Sequence, residues 1–72
     1  MEYKGTHEEL YQEFSKWSPE HASMVIDYKP WGKSSIAIWL NNGHIYKVKY
    51  IAEDHFIMQK LSKDDVKRKL GI

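Results

Sequence analysis

The chain has 72 residues, 42% of them hydrophobic and 14% aromatic, with a net charge of +1. That length suits one small domain that buries only roughly 60% of the surface its unfolded form exposes, and the composition excludes the weakly hydrophobic, highly charged class of disordered chains. The absence of cysteine excludes disulfides, thiolate metal sites and thiol nucleophiles.

The segment THEELYQEFSKW reads as an amphipathic helix, because Leu10, Phe14 and Trp17 fall at i, i+4 and i+7 and Tyr11 widens the stripe. Thr6 and Glu9 have the spacing of a capping box, in which each side chain satisfies a backbone N–H left free by the first turn. SPEH then stops this helix and suits a short second turn, with Ser18 as N-cap and Pro19 at the first helical position.

Three runs with a period of two follow. SMVIDYK sets Met24, Ile26 and Tyr28 on one side, and Pro30-Trp31-Gly32 is expected to turn the chain. SSIAIWL sets Ile36, Ile38 and Leu40 on one side, and HIYKVKYI does the same for Tyr46, Val48 and Tyr50. The connection between these two runs decides which residues share a face. A two-residue loop at Asn42-Gly43 puts Ile36 and Ile38 beside Lys47 and Lys49. A three-residue loop, Asn41-Asn42-Gly43, with Gly43 in the left-handed region, pairs Leu40 with His44 and Ile38 with Tyr46. Parity favours the three-residue loop. One face then carries Met24, Ile26, Tyr28, Ile36, Ile38, Leu40, Tyr46, Val48 and Tyr50, and the other carries Ser35, Ala37, Trp39, Ile45, Lys47 and Lys49.

AEDHFIMQKLS supports either a fourth strand, through Phe56 and Met58, or a helix with Phe56, Ile57, Lys60 and Leu61 as its stripe; the strand is favoured. A short last helix is clearer. Ser62 and Asp65 form a cap pattern, Val66 and Leu70 are one turn apart, and Gly71 is a stop. Asp64 and Asp65 early with Lys67, Arg68 and Lys69 late complement the helix dipole, which accounts for the basic run without a ligand. The expected fold is α+β, a single domain over residues 1–72. It has an antiparallel meander of three or four strands, and both helices pack on its apolar face. The order α-β-β-β-α resembles that of double-stranded-RNA-binding domains, but Asp64 and Asp65 open the last helix where that resemblance calls for lysines, so it extends to element order alone.

Little in the chain supports chemistry. His7, His21, His44 and His55 lie on separate elements without ligand spacing, and none of Gly5, Gly32, Gly43 and Gly71 belongs to a phosphate-cradling loop. Neither catalysis nor a cofactor or metal is expected. The feature above background is the second sheet face, where Trp39 and Ile45 lie beside Lys47 and Lys49, with Trp31 and Lys33 at the adjoining hairpin tip. Aromatic anchors with a lysine rim suit a protein partner. The expected function is a non-catalytic protein-binding module, of the kind found among phage and mobile-element accessory proteins that modulate a host factor. The alternatives are a nucleic-acid binder using the same lysines and aromatics, weakened by a single arginine, and a structural homo-oligomer such as a homodimer. Charge is unevenly spread: residues 1–22 hold two lysines and five glutamates, and residues 23–51 hold four lysines and one aspartate. No apolar run reaches the roughly 20 residues that span a bilayer, and MEYKGTHEELYQ lacks a signal-peptide pattern, so a cytoplasmic protein without membrane contact is expected.

Overall fold

A computed structural model describes residues 4–71. Helix α1 runs over His7–Trp17, and its start is fixed as the sequence implies: the Glu9 N–H donates to Thr6 Oγ1 at 3.1 Å while the Glu9 carboxylate reaches back to the Thr6 N–H. Ser18 then precedes the single turn α2, Pro19–Ala22, with Pro19 at its first position. Four antiparallel strands follow in chain order across one open sheet: β1 Val25–Gly32, β2 Ser35–Leu40, β3 Ile45–Ala52 and β4 His55–Leu61. Helix α3, Lys63–Leu70, stops at Gly71, which takes the left-handed conformation with φ 73°.

The central hairpin has the expected three-residue connection. Leu40 N–H donates to His44 O at 2.9 Å, Gly43 N–H donates to Leu40 O at 3.1 Å, and Gly43 sits at φ 89°. Ile38 therefore lies opposite Tyr46, and Trp39 opposite Ile45. This parity gives the sheet a face A, with Ile36, Ile38, Leu40, Val48 and Phe56, onto which α1 inserts Leu10 and Phe14. Leu10, Phe14, Ile36, Ile38 and Val48 are fully buried, each worth about 1.5–3 kcal/mol in transfer free energy. Aromatic rings close the rim: Tyr11 stacks on Tyr28 with centroids 4.4 Å apart, and Tyr50 meets Phe56 edge-on at 5.7 Å.

The ambiguous segment is a strand, so the sheet has four strands, and the likeness of element order to the three-stranded RNA-binding domains ends there. Its connection to β3 is the two-residue turn Glu53-Asp54, with Asp54 at φ 58°.

Four expectations are corrected. Ile26 is not in the core: a register shift between Val25 and Asp27 adds one residue to β1, so Val25 packs on the core with Met24 and Tyr28 while Ile26 is 70% exposed. A bulge leaves no mark on simple alternation, which is why the period-two reading carried Ile26 inward. Pro30-Trp31-Gly32 is not the turn but the end of β1, and the chain reverses at Lys33-Ser34. Trp17 touches Phe14 and Phe56 but remains 38% exposed, since it lies on the last turn of α1 at the margin of the core. The two helices do not share a face. Val66, the buried residue of α3, stands outside the α1 core cluster and lines a cleft with Trp39 and Ile45 on the opposite side of the sheet, face B. Face A is already filled by α1, whereas face B still presents Ala37, Trp39 and Ile45. Only Ser62 separates β4 from α3, so the helix folds directly back over the nearer uncovered surface.

Two substitutions test this packing. Phe14→Ala should cost about 3–5 kcal/mol in denaturant unfolding, most of what so small a domain holds. Ile26→Ala should change stability by under about 0.5 kcal/mol, as for an exposed site, and a loss near that of Phe14→Ala would show that β1 is not bulged there. At Gly43 a Cβ meets no atom within 4 Å, so the roughly 1 kcal/mol expected for Gly43→Ala is a backbone cost alone.

Candidate functional site

The expected site residues all lie on face B or its margin, and α3 divides them. On one side of the helix a cleft of about 360 Å³ is lined by Trp39, Gly43 and Ile45 from the sheet and by Lys63, Val66 and Lys67 from α3. On the other side a cleft of about 410 Å³ is lined by Trp31, Lys47, Gln59 and Leu61 with Asp65, Arg68 and Lys69. The division follows from helical spacing. Lys63, Val66 and Lys67 are at i, i+3 and i+4, as are Asp65, Arg68 and Lys69, and the two sets project to opposite sides of the axis.

Trp39 is half-buried and Ile45 is 7% exposed, so these two form a partly covered apolar floor rather than an open platform. Trp31 is half-buried as well, and the Lys69 ammonium lies over its ring at 5.9 Å from the centroid, a cation–π geometry. Lys47 is half-buried in the same cleft, whereas Lys49 is exposed opposite Ser35 and Ile57. Lys33 is exposed on the β1–β2 turn, outside both clefts. The structure thus brings Trp39 with Ile45 and Trp31 with Lys47, and does not join them into one patch.

The α3 residues in these clefts are the part that sequence reasoning missed. Their charges explained themselves as dipole partners, and α3 was expected on the other face. The available signal was Ala37: a small residue on face B between two strands marks where another element can approach closely. It is fully buried, as is most of Ser35. No carboxylate among the described residues lies within salt-bridge distance of Lys63, Lys67 or Arg68.

The histidines stay apart. His7 Nε2 lies 2.6 Å from Gly32 O and ties α1 to the end of β1, while His21 Nδ1 is 2.6 Å from Ser18 Oγ and His55 Nδ1 is 3.0 Å from Glu53 O. Among the described residues no group of three or more His, Asp or Glu could hold a metal ion, and no helix is long and apolar enough to cross a membrane.

The clefts exist only while α3 is docked, and its first turn carries a pH-sensitive clamp. Ser62 N–H donates to Asp65 Oδ2 at 3.1 Å, and Asp65 N–H donates to Ser62 Oγ at 3.1 Å. The hydrogen bond from the Ser62 backbone, then that from its side chain, with a smaller contribution from the Arg68 charge, hold the Asp65 carboxyl below its ordinary range. A lowered folded value means that the stabilisation is complete above the unfolded value and is lost as pH falls through the folded one. Acidification below about pH 4 should therefore weaken this cap, read as a movement of the Asp65 and Ser62 amide NMR shifts with a smaller one at the Val66 methyls. Asp65→Asn should remove that component, and an unaltered acid limb in this variant would place the pH dependence elsewhere.

No protein-family model, curated protein or solved structure matches this chain, so the functional reading rests on the geometry of this face.

Proposed function

We propose that the chain is a cytoplasmic, non-catalytic protein-binding module that uses face B and α3 to hold an acidic segment of its partner through one apolar anchor. The observation that carries this reading is the cleft whose floor is Trp39, Ile45 and Val66 and whose wall on the helix side is Lys63 and Lys67. An apolar side chain fits the floor, and carboxylates flanking it in the partner meet the ammonium groups. Buried aromatic anchors supply most of the affinity in such contacts, while rim charges set partner choice and on-rate.

The distribution of charge supports the sign of the partner. Glu8, Glu9 and Glu13 outnumber Lys16 on α1, over face A, whereas Lys63, Lys67, Arg68 and Lys69 outnumber Asp64 and Asp65 on α3, over face B with Lys47 and Lys49. With the helices on opposite faces, the small net charge resolves into an acidic side and a basic side, and the basic side steers an acidic partner. Nucleic acid is the weaker reading. Single-strand binders take much of their affinity from bases stacked on aromatic faces, and here Lys69 already lies over Trp31 while Trp39 is half-buried at the cleft floor.

The test is a titration followed at the tryptophan indole N–H resonances, using a synthetic peptide of alternating Glu and Leu and, separately, an oligothymidylate. The peptide should shift Trp39 and leave Trp17 on the α1 side unmoved, and Lys63→Glu with Lys67→Glu should weaken its binding at least tenfold, which is about 1.4 kcal/mol. Shifts by the oligonucleotide with none by the peptide would overturn this reading in favour of nucleic acid.

A further inference from the structure

The sheet is open, so β1 and β4 each have one unpaired edge, and the two edges differ. β1 carries Pro30, which has no N–H to donate, and register shifts on either side of the Asp27–Pro30 run. These devices blunt an edge against pairing. β4 has neither. Its residues 56–61 each pair with β3, and the irregularity in that hairpin falls in β3 at Ile51. No described strand lies beyond β4.

Apolar surface collects along the same edge. Ile57 is 55% exposed on face B, and Trp17, 38% exposed, leans on Phe56 from face A with ring centroids 5.3 Å apart. Ile51, 37% exposed, lies at the nearby bulge. The other exposed large hydrophobic residue among those described is Ile26, on the blunted β1. A row of free N–H and C=O groups with apolar side chains on both flanks is a template for strand addition.

We propose that β4 pairs antiparallel with β4 of a second copy, about a two-fold axis at Ile57, joining two four-stranded sheets into one. The occupant and the register follow from self-complementarity. Opposed residues in a sheet share a face, so an axis through a residue keeps face A against face A. With the axis at Ile57, Ile57 opposes its own copy, Phe56 opposes Met58 and His55 opposes Gln59, the last two twice over. Apolar meets apolar and polar meets polar. An axis at Met58 sets Phe56 against Lys60 and Ile57 against Gln59, and one at Phe56 sets Ile57 against His55; neither matches as well.

Because the chain has no cysteine, one introduced thiol reports the pairing. Across a central antiparallel pair the Cα separation is about 4.5–5.5 Å, within disulfide range. Light scattering after gel filtration should give twice the chain mass, falling on dilution. Ile57→Lys should return the monomer with its far-UV circular dichroism retained, and Ile57→Cys should oxidise to a covalent dimer where Ile26→Cys, on the other edge, does not. Should Ile57→Lys fail to fold, Ile57→Thr, which keeps a β-branched strand residue but removes the apolar contact at the axis, should likewise weaken the dimer. A native chain that stays monomeric at every concentration would overturn the proposal. So would a dimer that survives both substitutions at Ile57 or that cross-links equally through Ile26→Cys.

Discussion

The three-residue loop Asn41-Asn42-Gly43 fixes the side-chain parity of the central hairpin, and every surface of the molecule depends on that parity. Side chains alternate across a strand, so a loop shorter by one residue would carry Lys47 and Lys49 to the face where Leu10 and Phe14 dock. Gly43 permits the loop by taking φ 89°, and the Asn42 side chain helps by accepting the His44 N–H at 3.0 Å. With the register set, β2 offers Ile36, Ile38 and Leu40 to α1 as a continuous apolar strip and offers Ala37 and Trp39 to the other side.

From that division comes a molecule with two unlike sides. Face A is closed by a helix that places two large side chains fully inside and adds a ring of aromatics. Face B is closed by a shorter helix that buries only Val66 deeply and leaves a cleft along each flank. A helix of eight residues is marginal by itself in water. Its capping box, the acidic first turn and basic last turn, and the Gly71 stop therefore matter more to α3 than equivalent features matter to α1. The side of the sheet that carries the clefts is thus the side held most weakly, and elements of low local stability are the ones that adjust on binding.

Much of this was legible in the sequence because it rests on local rules. Thr6 with Glu9, Ser62 with Asp65, Gly71, and the parity argument at Asn41–Gly43 each depend on residues within a few positions of one another. What escaped the sequence depended on tertiary accommodation. The bulges of β1 moved Ile26 out and carried the strand through Pro30-Trp31-Gly32, although turn chemistry was present there. The side on which α3 lands was decided by which face α1 had left uncovered, a competition that no single segment encodes. For the same reason the candidate site was half legible: Trp39, Ile45 and Lys47 follow from strand parity, while Trp31, expected at a hairpin tip, joins them only through the longer β1, and Lys63, Val66, Lys67, Arg68 and Lys69 enter only once the helix is placed.

The central claim is that α3 covers the sheet face opposite α1, and nuclear Overhauser contacts from the Val66 methyl groups test it most directly. Contacts to Trp39 and Ile45, with none to Phe14 or Val48, are the result this account predicts. Contacts from Val66 to Phe14 or Val48 would contradict it, because they would place both helices on one face and leave Trp39, Ile45 and Lys47 without the clefts described above.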